Sequence, residues 1–477
     1  MDNKILFSFF WKFAERCGAQ FVSLAVSIIL ARLLLPEDYG TVALIAVFMN
    51  ILQVFVDSGL GNALIQKKDA DELDFSTVFF FNLIICVCLY MIMFMLAPII
   101  AIFYKNDQLT ILVRVVSISL LISGVKNVQH AYVSKKMMFK KFFYATLGGT
   151  IVSGCLGVFA AQKNLGVWAL IIQQLSNLLI DTLILWLTVG WKPKVQFSIS
   201  RLKKLFSYGW KLLLSAILDT GYNNMRALMI GRVYSASDLG YYNKGQQIPS
   251  LIVNNINTSF DAVLLPAISE EQDDIVRVRQ ITRYSIQIST FIMAPMFIGI
   301  AVLAVPIVRF VLTDKWLPCV PILRVFCITY MFYPIHTANL NAVKALGRSD
   351  IFLKLEIAKK IFGLVLLFIT VHISVMAMVY SLIFNCLFSM VVNSRPNAIL
   401  LKYSFREQLG DICPSLGCAL FMGGIVYMFS LLSFPDLITI IVGVVLGGGI
   451  YLGGARAIQL NVLFWGLDMF KKSISRK

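Results

Sequence analysis

The stretch Ala31-Arg32-Leu33-Leu34-Leu35-Pro36-Glu37-Asp38-Tyr39-Gly40 has a counterpart 200 residues later, Gly231-Arg232-Val233-Tyr234-Ser235-Ala236-Ser237-Asp238-Leu239-Gly240. Arg, Asp and Gly recur at the same offsets, and each stretch follows a long apolar segment. Upstream, Trp11-Lys12 and Trp210-Lys211 recur with one residue of slippage. Two copies of one membrane unit in a chain are typical of transporters, whose substrate site lies between the copies. The repeat therefore predicts a carrier made of two related lobes.

The composition is that of a membrane protein. The chain is 58% hydrophobic and 14% charged, with a mean hydropathy of +0.80, whereas soluble proteins are about 25% charged. The net charge of +17 does not indicate nucleic-acid binding, because the basic residues lie mostly in short connectors between apolar runs. Nine cysteines are scattered through the chain without disulfide-like or zinc-like spacing, so we predict no metal and no cofactor.

Fourteen apolar segments are long enough to cross about 30 Å of hydrocarbon as helices. The first, about 9–34, is too long for a signal-peptide core and lacks a following cleavage site, so we expect it to be retained. The sequence thus predicts an all-α polytopic membrane protein. Its candidate helices are 10–34, 40–60, 75–101, 108–131, 142–161, 166–189, 208–231, 241–265, 284–311, 317–341, 353–371, 374–394, 411–432 and 437–456.

The connectors alternate in charge. If the N-terminus is cytoplasmic, the inner segments hold 27 Lys and Arg residues and the outer connectors hold 5. Because positive charge favours the cytoplasmic side, we predict that both termini are cytoplasmic.

The repeat and the longest polar connectors predict the domain organisation. We expect a six-helix lobe over 1–200, a second over 201–400, and two further helices with a basic cytoplasmic tail over 401–477. Matches of Val167, Ala169 and Asn177 to Val375, Ala377 and Asn385 support this pairing. No phosphate-cradling Gly-rich loop occurs, so ATP hydrolysis within this chain is not expected.

The first helix of each predicted lobe carries a polar stripe. At 100° per residue, each set of five residues falls within an arc of about 80°. Charged groups at the centre of a membrane helix are costly, so we expect both stripes to face a shared cavity. The stripes are Lys12, Arg16, Gln20, Ser23 and Ser27 in the first lobe, and Lys211, Ser215, Asp219, Tyr222 and Arg226 in the second.

The cations of these stripes suit an anionic substrate, most simply a phosphate-bearing one. The substrate-binding candidates are Lys12, Arg16, Gln20, Lys211, Asp219, Tyr222 and Arg226. Four carboxylates within or beside the spans are candidates for coupling to an ion gradient: Asp219, Asp181, Asp57 and Glu15. Each has an alternative interpretation as a structural ion-pair partner or, for the end residues, as a helix-end group. No pairing of histidine with a nucleophile indicates catalysis, so an enzyme is not expected.

Three stretches resemble a known family. Residues 32–40 resemble the first outer loop of bacterial oligosaccharide-lipid flippases, as do residues 57–66 after the second predicted span. Residues 237–242 resemble the matching motif of the second lobe. The chain is thereby similar to the multidrug/oligosaccharidyl-lipid/polysaccharide exporter superfamily, in the branch that includes colanic-acid and teichuronic-acid exporters.

The resemblance implies two six-helix lobes around a central cavity that opens alternately to each side. The implied substrate is a polyprenyl-pyrophosphate-linked oligosaccharide, moved across the bacterial cytoplasmic membrane for capsule, exopolysaccharide or O-antigen assembly. It further implies the lipid bilayer as surroundings, and a polysaccharide polymerase and chain-length regulator as possible partners. The last two helices could correspond to those that guide the lipid tail in related lipid II flippases.

Two alternatives stay open from the residues alone. A cation-coupled multidrug exporter of the same superfamily would share the lobes, and Asp219 and Glu15 would suit it. A membrane polymerase or ligase acting on lipid-linked sugars is the second alternative. The short outer connectors count against it, because such an enzyme would need a large outer loop.

Overall fold

The computed structural model describes residues 3–57, 60–432, 434–460, 462 and 463, without the side chains of residues 3–10, 12–17, 62, 204, 207–209, 211 and 212. The described chain is helical throughout its regular structure and contains no strand, which confirms the all-α prediction. It divides into two compact units, 1–240 and 241–477.

The first unit is built from nine helices and the start of a tenth. These are α1 (Asn3–Leu33), α2 (Pro36–Asp57), α3 (Leu60–Gln66), α4 (Glu72–Tyr104), α5 (Gln108–Val116), α6 (Ile118–Lys135), α7 (Phe139–Gln162), α8 (Val167–Val189), α9 (Ile199–Val233) and α10 (Ala236–Glu270). α7 packs on both α1 and α8, and α6 lies between α4 and α8. Phe75, Phe79 and Trp191 belong to a buried cluster where the ends of these helices meet.

The second unit contains the rest of α10 and eight further α-helices. These are α11 (Ile275–Val302), α12 (Ala304–Leu312), α13 (Val320–Met331), α14 (Tyr333–Ala345), α15 (Ser349–Thr370), α16 (Val375–Leu400), α17 (Phe405–Ser430) and α18 (Asp436–Ala457). A 3-10 helix over Asp314–Cys319 connects α12 to α13.

The chain is a multi-pass membrane protein. Eleven helical segments of the described chain are long and apolar enough to cross a membrane. α1, α9 and α15 are the remaining long helices. α9 and α15 carry clusters of charged residues, and the described apolar part of α1 is the short stretch Gly18–Leu33. The count of fourteen spans therefore stays a prediction.

Three predicted helices are interrupted. The helix expected over 108–131 divides at Ser117, whose hydroxyl donates to the carbonyl of Val113 at 2.6 Å. The one expected over 317–341 divides between α13 and α14 at Phe332, next to Pro334. The one expected over 284–311 divides between α11 and α12 at Leu303. Proline and hydrogen bonds from side chains to the backbone both disturb the regular backbone hydrogen bonding of a helix. The spacing of apolar residues in the sequence does not reveal where such a break occurs.

The division between the units falls after Gly240, whereas the sequence predicts lobes of 1–200 and 201–400. The reason is that α9 packs on α2, α3 and α4, all of which belong to the first unit. The connector before α9 is also fixed to α4, because the backbone amides of Lys194 and Ser198 donate to the hydroxyls of Ser76 and Thr77. The six-helix lobe boundary near residue 200 remains a prediction.

The last two helices pack on the other helices of the second unit through small residues. A Cβ at Gly423 would lie 2.5 Å from Ile298 Cγ2, and one at Gly443 would lie 3.0 Å from Leu303. Tyr451 adds a hydrogen bond from its hydroxyl to the carbonyl of Phe291 at 2.9 Å. α17 and α18 are thus held against α11 and α12 by close helix approach.

Candidate functional site

A polar cavity of about 540 Å³ lies within the first unit, between α2, α6 and α8. Its volume is in the range of roughly 300–1,000 Å³ that small-molecule sites occupy. The described residues that line it are mostly amides and hydroxyls, with two charged groups. They are Met49, Asn50, Gln53, Asp57, Ser119, Ser123, Lys126, Asn127, His130, Gln173, Gln174, Asn177 and Leu178.

The cavity arises because each of the three helices presents one polar face. On α2 the lining positions are 49, 50, 53 and 57; on α6 they are 119, 123, 126, 127 and 130; on α8 they are 173, 174, 177 and 178. Steps of three and four residues return to the same face of a helix. The polar side chains that line the cavity therefore gather where these three faces meet.

The strongest electrostatic feature is an ion pair between Lys126 on α6 and Asp181 on α8. Lys126 lies nine residues before the end of α6, roughly 14 Å along the helix axis. Its side chain is 24% exposed, and that of Asp181 is 9% exposed. A charge in a membrane helix costs about 2.5–3.5 kcal/mol, and the pairing offsets that cost for both groups.

Asp57 supplies a second carboxylate at the end of α2. Its side chain is exposed, and it accepts a hydrogen bond from Gln53 Nε2 at 3.2 Å. Nearby, Asn127 Nδ2 donates to the carbonyl of Val56 at 3.0 Å and so joins α6 to the last turn of α2. The cavity wall at the end of α2 is therefore a polar surface whose groups are joined by hydrogen bonds.

Two further amides are held from outside the cavity. Asn177 Nδ2 donates to Ser153 Oγ on α7 at 3.1 Å, and Asn50 Nδ2 donates to Asn224 Oδ1 on α9 at 3.1 Å. Each bond fixes the amide nitrogen, so the rotamer of the lining residue is set. A site whose polar groups are oriented in advance loses less entropy on binding.

Gln173 and Gln174 differ from these amides. Within the described part of the chain, neither side chain makes a hydrogen bond. Gln173 is half-buried and Gln174 is exposed. Both can donate and accept, so they offer the cavity a pair of uncommitted amides.

The described wall has no excess of positive charge. One ammonium, Lys126, stands among two carboxylates, Asp57 on the wall and Asp181 behind it. This differs from the cation-rich lining that the sequence predicts for a central cavity. The predicted cations do not belong to the described lining of this cavity.

The structure places the predicted stripe residues as follows. Lys12, Glu15, Arg16 and Lys211 fall on α1 and α9, but their side chains lie outside those described. Gln20, Tyr222 and Arg226 are half-buried, and Asp219 is exposed and accepts from Asn223 Nδ2 at 3.3 Å.

α9 touches α2 through Asn224, which lies on the side of the helix opposite to the predicted stripe. That the two polar stripes face one shared cavity stays a prediction.

Lys126 and the cavity amides are absent from the predicted site, although a signal for them exists. The polar positions on α6 recur every three or four residues through an otherwise apolar span, as the predicted stripes do on α1 and α9. Of the predicted ion-coupling candidates, Asp57 lines this cavity and Asp181 pairs with the lining residue Lys126. Their role in coupling stays a prediction.

Comparison with known proteins identifies relatives of the chain. A family model described as Polysaccharide biosynthesis protein matches residues 29–321. The teichuronic acid biosynthesis protein TuaB of Bacillus subtilis (strain 168) is 27% identical over 63% of the chain and 62% of its own length. The succinoglycan biosynthesis transport protein ExoT of Rhizobium meliloti (strain 1021) is 23% identical over 67% of the chain and 65% of its own length. The aligned part of the chain thus spans slightly less than two-thirds of these relatives.

Solved structures show the same fold. A lipid II flippase, MurJ, in an inward closed conformation superposes with a TM-score of 0.74 at 15% identity, covering 95% of the chain and 100% of the flippase. An inward-facing multidrug resistance transporter of the MATE family superposes with a TM-score of 0.61 at 17% identity, covering 81% of the chain and 96% of the transporter.

Proposed function

The chain belongs to the Polysaccharide biosynthesis protein family, and we propose that it translocates polyprenyl-pyrophosphate-linked oligosaccharide repeat units across the bacterial cytoplasmic membrane. The product would serve capsule, exopolysaccharide or O-antigen biosynthesis. The lipid bilayer and the lipid-linked oligosaccharide are then its partners, and a polysaccharide polymerase and a chain-length regulator would act next to it. The names of its relatives describe teichuronic acid biosynthesis and succinoglycan transport, which are roles in polymer assembly.

The cavity between α2, α6 and α8 is the observation that carries this proposal. A lipid-linked sugar has a hydrophilic head that cannot enter hydrocarbon without losing its hydrogen bonds with water. Amides and hydroxyls placed among membrane helices replace those bonds during passage. The lipid tail needs no such replacement and can stay in the bilayer.

We further propose that the two lobes alternate between openings to either side, as repeats in carriers do. In this arrangement Lys12, Arg16, Lys211 and Arg226 would meet the pyrophosphate. Lys211→Ala should then abolish surface polysaccharide while the folded protein is retained. Normal polymer output from this variant would remove Lys211 from the substrate path.

Ion coupling is the second part of the proposal, and it rests on carboxylates within or beside the spans. Asp219 is exposed on α9. Asp57 lines the cavity, and Asp181 pairs with Lys126. Transport into vesicles that contain Asp219→Asn should lose its dependence on an imposed ion gradient. If the dependence persists, Asp181, Asp57 and Glu15 become the groups to change next.

The experiment that tests the whole function uses a deletion of the gene in its own host. Loss of the protein should abolish the surface polysaccharide and leave the lipid-linked repeat unit on the cytoplasmic face, where a membrane-impermeant glycosidase cannot reach it. Expression of the intact chain should restore both. A deletion strain with normal surface polysaccharide would refute the proposal.

The multidrug exporter is the competing function, and Asp57 beside Lys126 gives it a physical basis. A carboxylate in a cavity suits a cationic drug. Cells that express the chain would then survive higher concentrations of cationic dyes. The proposed flippase should leave dye resistance unchanged.

A further inference from the structure

We infer that the cavity between α2, α6 and α8 binds an uncharged saccharide portion of the substrate, and that α8 recognises it through Gln173 and Gln174. The inference rests on the proposed function. It adds the chemical class of the sugar that binds in this cavity. It also distinguishes this sugar site from the site that binds the pyrophosphate.

The first step of the argument concerns hydrogen bonding. A saccharide hydroxyl both donates and accepts, and a carboxamide matches it with two donor hydrogens and one acceptor oxygen. The described wall holds six amides, at positions 50, 53, 127, 173, 174 and 177, and two serine hydroxyls, at 119 and 123. A hydrophobic drug would leave unpaired those polar atoms of this wall that have no partner inside the protein, at a cost for each one.

The second step concerns charge. Lys126 is the cation of the described wall, and its ammonium already pairs with Asp181. Asp57 adds a carboxylate to the same cavity. A uronic acid or a pyrophosphate placed here would meet one committed cation and two carboxylates, so like-charge repulsion disfavours it.

The third step concerns availability. Four of the six amides already form side-chain hydrogen bonds that orient them: Asn50, Gln53, Asn127 and Asn177. Gln173 and Gln174 form none within the described residues, and both lie about two turns before Asp181 on α8. They are therefore the amides that can turn toward a ligand without breaking a bond inside the protein.

The test exchanges charge at Gln174, which is exposed and can be changed with little effect on packing. The variants Gln174→Glu, Gln174→Lys and Gln174→Leu are expressed in the deletion host, and flipping is measured as surface polysaccharide per amount of folded protein. All three should reduce flipping by roughly tenfold, the factor that corresponds to about 1.4 kcal/mol. Gln162, exposed at the end of α7 and outside the described lining, offers the matched controls Gln162→Glu and Gln162→Lys, which should change nothing.

The sign of the response identifies the ligand. Equal losses with Glu and Lys support an uncharged saccharide. Normal flipping with Lys and loss with Glu would show an acidic sugar and overturn the inference, and the reverse pattern would show a cationic ligand and overturn it as well.

Normal flipping by all three Gln174 variants, followed by the same result for Gln173→Leu, would show that α8 does not touch the substrate. Failure of the proposed function is seen separately, because the deletion host would then make normal polysaccharide before any variant is introduced.

Discussion

Gly40 shows how a single residue of the repeat motif limits the structure. It lies in the first turns of α2, where an added Cβ would overlap the carbonyl oxygen of Ala236 at the start of α10. Its repeat counterpart, Gly240, would in turn overlap the carbonyl oxygen of Pro36. The two glycines of the matching stretches therefore permit a close backbone approach that no other residue allows.

The first prediction follows from this contact. Gly40→Ala should lower the free energy of unfolding by about 1–3 kcal/mol, because backbone atoms must move apart to accept the methyl group. The measurement is thermal unfolding of the purified protein in detergent. Gly299→Ala on α11 is the control, since a Cβ there has nothing within 4 Å, and it should not lower the unfolding temperature. Equal unfolding temperatures for Gly40→Ala and the intact chain would contradict the close approach.

The second prediction concerns the ion pair of Lys126 with Asp181. Asp181→Leu should destabilise the protein by roughly 2–4 kcal/mol, because it leaves a largely buried ammonium without its counter-ion. The double variant Lys126→Met with Asp181→Leu should regain most of that loss, since it removes both charges together. Thermal unfolding of the two variants measures this. A double variant that is less stable than Asp181→Leu alone would show that Lys126 is not held by the carboxylate.

At the level of helices, the start of α4 connects several elements of the first unit. Asp71 caps α4 by accepting from the backbone amide of Asp74, and it also accepts from Arg201 of α9 at 2.6 Å. Asp74 is fully buried and pairs with Lys67 at 2.5 Å. These bonds tie α3, α4 and α9 together at one end, on the side where we predict the cytoplasm.

The third prediction is the pH dependence of this connection. The hydrogen bonds from Arg201 and from the Asp74 amide lower the pKa of Asp71 to about 2, below the value of about 3.9 in an unfolded chain. Because the folded pKa is the lower one, the stabilisation is complete above about pH 4 and is lost as the pH falls toward 2. Since Asp71 is half-exposed, its contribution is about 1 kcal/mol or less.

Asp71→Asn should therefore unfold at lower temperature than the intact chain above pH 5, and the difference should close between about pH 4 and pH 2. Asp69→Asn is the control, because its side chain is exposed and has no partner among the described residues. A difference that stays constant down to pH 2 would show that Asp71 does not carry the effect.

For the whole molecule, the distribution of charge makes the fourth prediction. The connectors 190–207 and 266–283 are rich in charged residues, and the positive-inside rule places both in the cytoplasm together with the two termini. A reporter enzyme that is active only in the cytoplasm should be active when fused within either connector. A reporter that is active only outside the membrane should be inactive at the same positions. An outside signal from either position would refute the topology.

The apolar composition and the spacing of polar residues were enough to predict an all-α membrane protein and most of its helices. They are local properties: hydropathy over about 20 residues and a period of 3.6 do not depend on distant contacts. The repeat of Arg32 to Gly40 also pointed to the transporter family through short motifs alone.

The partner of Asp181 could not be predicted in this way. Lys126 is 55 residues away on another helix, and a pattern within one helix does not specify which face of a neighbour it meets. The helix break at Ser117 and the gathering of amides from α2, α6 and α8 depend likewise on packing between helices distant in sequence. A charge inside a membrane needs a partner, but which residue supplies it is set by the way the helices pack.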